Sequence, residues 1–259
     1  MDNENNASDS PGKRILFLHP SAVIQNVLAE ELVQQEYEVY IVRDHIKLRK
    51  ILKKYPDSVV FANINDGMPQ EEWETWIRAV MTDADLTGRI SIGILTANND
   101  EALRRKYTVS IKCQCGFTVL KSDLAGSIKQ MCEHLEAIDA RGRRKYLRIT
   151  LGYDSTATVN LPLNGTFING VIRDISVVGL SCSFDDDPQL SKNRLFQDIQ
   201  IKLQTQLLKT EGIIFGWRMS EEKKIYVLLF TQRIDPEIRT RIRKYIQHEL
   251  QIKLDKEME

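Results

Sequence analysis

The chain carries four cysteines in 259 residues, at Cys113, Cys115, Cys132 and Cys182, and none of them forms a Cys-x-x-Cys pair. With histidines scattered at His19, His45, His134 and His248, no zinc-ligand spacing emerges, and no metal site is expected. Cys113 and Cys115 occupy alternate positions, which suits side chains packed on one face of an extended segment. Long hydrophobic runs are also missing. Stretches such as Ile15 to Leu18 and Val59 to Ala62 are far too short to span a bilayer, so no membrane partner is expected. The polar start, residues 1–12, lacks the apolar core of a signal peptide and is expected to be a disordered tail on a cytoplasmic protein. Charge of one sign is lacking as well: Lys plus Arg and Asp plus Glu number 36 each. A balanced chain has no global positive field to draw it onto nucleic acid. Finally, the 13 glycines are dispersed. No phosphate-cradling glycine loop and no nucleophile-base pair appears, so the chain does not read as an enzyme and no cofactor is implied.

What is present is enough apolar residue, 42% against 28% charged, to build two separate cores. From residue 13 to 140, short apolar runs alternate with amphipathic stretches, the mark of βα units around a parallel sheet. Strands are expected at 15–18, 39–42, 59–64, 90–95 and 117–120. Helical stripes fall on Ile24, Val27, Leu28 and Leu32, on Leu48, Ile51, Leu52 and Tyr55, and on Trp73, Ile77, Val80 and Met81. A shorter helix is expected over 100–107. A last one carries Leu124, Ile128, Cys132, Leu135 and Ile138, with Ser122 as its N-cap. Strict alternation of five strands and five helices predicts a flavodoxin-like doubly wound domain.

From residue 141 to 259 the period drops to two. Segments 149–159, 166–172, 180–184, 199–203, 213–217 and 226–230 make six strands, enough to close a small antiparallel barrel. A C-terminal helix follows, with Asp235 as N-cap, Pro236 at the first helical position, and a stripe of Ile238, Ile242, Tyr245, Ile246 and Leu250.

Two short segments carry the chemistry. Arg141-Gly142-Arg143-Arg144-Lys145-Tyr146-Leu147-Arg148 concentrates permanently charged guanidinium forks without an acid, which suits phosphate oxygens and the O6/N7 edge of guanine. Asp174-Ile175-Ser176-Val177-Val178-Gly179 offers a carboxylate for guanine N–H donors, a hydroxyl for phosphate or backbone, and a glycine for positive φ or close approach. Either segment alone is an ordinary basic linker or turn; their order and strand context give them weight.

The pair Arg-Arg-x-x-x-Arg and Asp-x-Ser-x-x-Gly resembles the PilZ domain family of cyclic di-GMP receptors. The resemblance implies a clamp of Arg144 and Arg148, with Asp174, Ser176 and Gly179 as the barrel-side platform. Arg143, just before the clamp, implies binding of an intercalated ligand dimer. The doubly wound half resembles a response-regulator receiver domain: Thr96 matches that family's strand-end threonine, and Lys121 its lysine after the fifth strand. The acidic pair that would hold Mg²⁺ is replaced by His19-Pro20, and the acceptor aspartate aligns with Ala62 or Asn63. Without hard oxygen ligands for Mg²⁺, phosphoryl transfer is not expected, and this half reads as a pseudo-receiver. The resulting expectation is an α/β domain plus an all-β PilZ barrel, binding cyclic di-GMP and relaying the signal to a downstream protein that the sequence does not identify. The competing readings are an adaptor that binds only protein and an RNA-binding barrel. The latter would want a broad basic surface with interleaved aromatics.

Overall fold

A computed structural model describes residues 12–121, 124–142, 144–152, 155–220, 223–231 and 233–259. The expected tail 1–12 therefore lies almost wholly outside the described residues, as do Arg143 and Ser122. The chain divides into two compact units, residues 1–145 with 251–259, and residues 146–250.

In the first unit β1 (Arg14–Leu18), β2 (Val39–Val42), β3 (Ser58–Asn63), β4 (Ser91–Thr96) and β5 (Phe117–Val119) pair in parallel in the order β2-β1-β3-β4-β5. This is the flavodoxin-like order of a doubly wound α/β domain. Strands β3 and β4 are buried along their whole length, as strands covered by helices on both faces must be. Five helices connect and cover the strands. Helix α1 is π-wound over Ile24–Ala29 and regular over Glu30–Gln34. Helices α2 (His45–Lys54) and α3 (Gln70–Met81) follow. Helix α4 is regular over Glu101–Arg105 and π-wound over Lys106–Ser110, and α5 spans Leu124–Ala137. Asp44 caps α2 by accepting from the Ile46 and Lys47 amides at 2.9 and 3.0 Å, and Asp100 caps α4 in the same way. In this unit the Gln251 side chain bonds both the N–H and the C=O of Ile41, each at 2.9 Å. It thereby satisfies backbone groups of β2, which stands at the sheet's edge.

In the second unit β7 (Thr158–Leu163), β8 (Thr166–Ser176), β9 (Gly179–Phe184), β10 (Leu195–Leu203), β11 (Gln206–Ser220) and β12 (Lys223–Phe230) run in the order β8-β7-β10-β11-β12-β9. The β8–β9 pairing closes the ring, giving a six-stranded antiparallel barrel. Its interior holds Val159, Leu161, Ile172, Leu180, Cys182, Ile199, Ile201, Ile214 and Leu228. Helix α6 (Pro236–Met258) contributes Ile242, Tyr245 and Ile246 to the same core, and Asp235 caps it through the Glu237 amide at 2.8 Å.

One strand of the sequence reading divides. Residues 149–159 are two elements, a short β6 (Arg148–Thr150) and β7, separated by a segment in which Ser155 accepts from the Ala157 amide. The break has a geometric cause. β7 must lie between the start of β8 and β10 to complete the ring, whereas β6 pairs only with the far end of β8.

Candidate functional site

Strand β6 aligns the two sequence motifs. Its register places Arg148 opposite Ser176, Ile149 opposite Ile175 and Thr150 opposite Asp174. Because side chains alternate across a strand, Ile149 and Ile175 turn together into the core, where both are buried. Arg148, Thr150 and Asp174 share the other face, beside a pocket of about 490 Å³.

That pocket is lined by Arg148, Thr150, Leu151, Arg173, Asp174, Arg218, Ser220, Lys223 and Ile225. Four cations against one carboxylate give the lining a net charge of +3, suited to an anion. Its volume falls within the usual range for small-ligand sites, roughly 300–1,000 Å³.

Asp174 is the hinge of the electrostatics. Its side chain is only 12% exposed. Its Oδ2 accepts the Ser181 hydroxyl at 2.5 Å. Two guanidiniums face it more loosely, Arg148 with Nη1 3.7 Å from Oδ1 and Arg218 with Nη2 4.0 Å from Oδ2. Both distances exceed an ordinary N–H···O bond, so the arginines attend the carboxylate without committing their donors to it. Below it Cys182, opposite Ile172 in the β8–β9 ladder, has its thiol pushed up to about 12 by burial and then by the Asp174 charge.

Arg173 occupies a β-bulge, where the β8–β9 register shifts between Ile172 and Asp174. Bulges re-aim a side chain. Here the bulge brings Arg173 to the pocket wall, with its Nε donating to Ser183 Oγ at 2.9 Å.

Ser176 and Gly179 stand at the end of the β8–β9 ladder. They form the last pair before the two-residue turn Val177-Val178. The Ser176 hydroxyl donates to the Gly179 carbonyl at 3.2 Å and accepts from the Val178 amide at 3.4 Å, so it braces the turn. Gly179 does not have positive φ. Its need is close approach, since a Cβ there would stand 2.4 Å from the Leu228 carbonyl oxygen on β12. Neither residue lines the pocket.

Of the expected site residues, Arg148 of the clamp and Asp174 of the platform come together in one pocket. Arg144 is exposed and falls outside its lining, and Arg143 lies outside the described residues. Sequence reasoning did not find Arg173, Arg218 or Lys223. Arg173 could have been suspected from its place beside Asp174; Arg218 and Lys223 carry no spacing signal, because strand pairing alone brings them here.

In the receiver-like unit, Asn63 ends β3 and donates through Nδ2 to the His19 carbonyl at 2.9 Å. His19 has φ +50°. Its ring stands edge-on to Trp73, 5.8 Å between centroids. Burial, and then the neighbouring His45, hold its pKa below the ordinary value. Thr96 is buried at the end of β4, and Lys121 is exposed. Asp66 is exposed beyond β3, and among the described residues no cluster of three or more His, Cys, Asp or Glu could hold a metal. Among those residues, no helix is long and apolar enough to cross a membrane.

Residues 142–248 match the PilZ domain family. No curated protein matches the chain. Among solved structures, the chain is similar to the PilZ domain with c-di-GMP of YcgR from Escherichia coli, at 13% identity over 44% of this chain and 95% of that one, with a TM-score of 0.38. It is also similar to the MrkH–c-di-GMP complex of K. pneumonia, at 19% identity over 42% of this chain and 52% of that one, with a TM-score of 0.37. This chain thus spans about half the length of that relative. The receiver-like half is similar to the Vibrio cholerae chemotaxis protein CheY4, at 16% identity over 49% of this chain and 98% of that one, with a TM-score of 0.40.

Proposed function

We propose that this protein, whose residues 142–248 form a PilZ domain, is a receptor for cyclic di-GMP that acts by binding and not by catalysis. The observation that carries the reading is the cationic pocket beside β6, in which Arg148 and Asp174, one from each motif, face each other. A guanine nucleotide with two phosphodiesters matches it on both counts. Guanidinium forks bind phosphate and the guanine Hoogsteen edge, and a carboxylate accepts the Watson–Crick N–H donors. Arg144 completes the clamp, and Arg143 favours two stacked ligand molecules per site. Ser176 and Gly179 hold the β8–β9 turn that keeps Asp174 in place.

Residues 140–147 carry like charges with little apolar content. Ordering them costs about 1–2 kcal/mol per residue, while each charge-assisted bond returns about 1.5–3 kcal/mol. Several such bonds form at once on a dianion, so the segment orders when ligand is present. That change is the signal offered to a downstream protein. Titration calorimetry tests the reading: cyclic di-GMP binds the wild type, and Arg148→Ala removes measurable binding. Unchanged affinity in that variant contradicts the site.

A further inference from the structure

Strands β11 and β12 bring to this pocket a group that neither motif contains. Arg218 pairs with Ile225 and Ser220 with Lys223 across the β11–β12 ladder, so the four side chains share one face and all four line the pocket. The Arg218 side chain is 68% exposed, and its guanidinium reaches only to 4.0 Å from Asp174. Lys223 is equally uncommitted, 3.7 Å from an Asp185 carboxylate that lies fully in solvent. Cations held this loosely keep their donors available.

The geometry points to Arg218, assisted by Lys223, as a second anion-recognition arm of the pocket, reaching Asp174 from β11 as Arg148 does from β6 and exchanging Asp174 for a ligand phosphate when ligand enters. The inference rests on the receptor reading above and deepens it. The exchange follows from the looseness of the Arg218 contact, which at 4.0 Å is beyond hydrogen-bond distance. Oδ2 already takes the Ser181 hydroxyl, so guanine N–H donors arriving at the carboxylate displace its weakest partners. Of the two arginines, Arg218 is the more distant and the more exposed. A guanidinium released in this way has five donors and a phosphodiester beside it. Arg148 and Arg218 then hold the ligand from separate strands, β6 and β11, and the pocket gains selectivity for a ligand with two phosphates over one with a single anionic group.

The test is calorimetric titration of cyclic di-GMP into the full chain at two salt concentrations, for wild type, Arg218→Ala, Arg218→Lys and Lys223→Ala. Arg218→Ala is expected to weaken binding about tenfold, the order of one charge-assisted contact, and to make affinity less sensitive to salt. Arg218→Lys restores the salt sensitivity and part of the affinity, and Lys223→Ala costs less than Arg218→Ala. The thermal midpoint stays at the wild-type value, because Asp174 keeps Ser181 and Arg148. Affinities and salt responses of all three variants within twofold of wild type would overturn the inference while leaving the receptor standing. A wild type that gives no titration would instead overturn the receptor reading from which it starts.

Discussion

The Arg148 guanidinium lies 3.7 Å from the Asp174 carboxylate, one residue from each motif, because three pairs of the β6–β8 ladder set them on one face. Neither group is fully used there. An anion with guanine edges can satisfy both better than they satisfy each other.

Replacing Asp174 by Asn keeps its shape and removes its charge. Asparagine presents one carbonyl where guanine needs an anionic acceptor, so affinity for cyclic di-GMP should fall at least about tenfold, the range of one charge-assisted bond. The two arginines that face it are exposed and stand beyond hydrogen-bond distance, so those pairs contribute only about 0–1 kcal/mol; asparagine keeps an acceptor for the Ser181 hydroxyl, so folding stability should change little. Titration calorimetry and urea denaturation of Asp174→Asn separate the two effects. A stability loss without an affinity loss would make Asp174 a purely structural residue.

Gly179→Ala should act on the fold. The added methyl meets the Leu228 carbonyl oxygen at 2.4 Å, and a backbone atom in a closed barrel has no easy retreat. Such overpacking costs about 1–3 kcal/mol, read as a lower denaturation midpoint. Ser176→Ala strips the brace from the same turn and should cost about 1 kcal/mol. Wild-type stability in both variants would contradict the bracing role.

His19 should give the first unit an acid sensitivity. Burial holds its folded pKa below 6.5, so as pH falls below that value the unfolded chain takes up the proton first. Its contribution to stability is complete above pH 6.5 and is lost as pH falls toward the folded pKa. His19→Asn, a residue that tolerates the positive φ found here, should flatten this dependence in urea denaturation followed between pH 5 and 8. An unchanged slope in the variant would assign the dependence to other groups.

The sequence exposed much of this in advance, for physical reasons that differ between the halves. Parallel strands buried on both faces read as short apolar runs, which is why β1 to β4 could be located closely, and the cap Asp235 marks a helix start through local chemistry. In the barrel, alternation located most strands but not their lengths. β11 runs well past Trp217, where its residues are exposed and alternation fails. The division between β6 and β7 depends on which strands they pair with, which no local pattern records. At the site, Arg148 and Asp174 were legible because each sits in a short motif. Arg218 and Lys223 were not: in a chain with 36 basic residues only the β11–β12 register, and β12's pairing with β9, bring them to the pocket. Gly179 was legible as a special position, but whether φ or close approach demanded it was visible only once β12 lay against it.

The central claim is tested most directly by equilibrium titration of the full chain with cyclic di-GMP, cyclic di-AMP and GTP, read for affinity and stoichiometry. The account predicts saturable binding of cyclic di-GMP at two molecules per chain, with little or none of the other two, because adenine cannot offer Asp174 the guanine N–H donors and GTP brings only one base. Equal binding of cyclic di-AMP, or no binding of cyclic di-GMP, would contradict it.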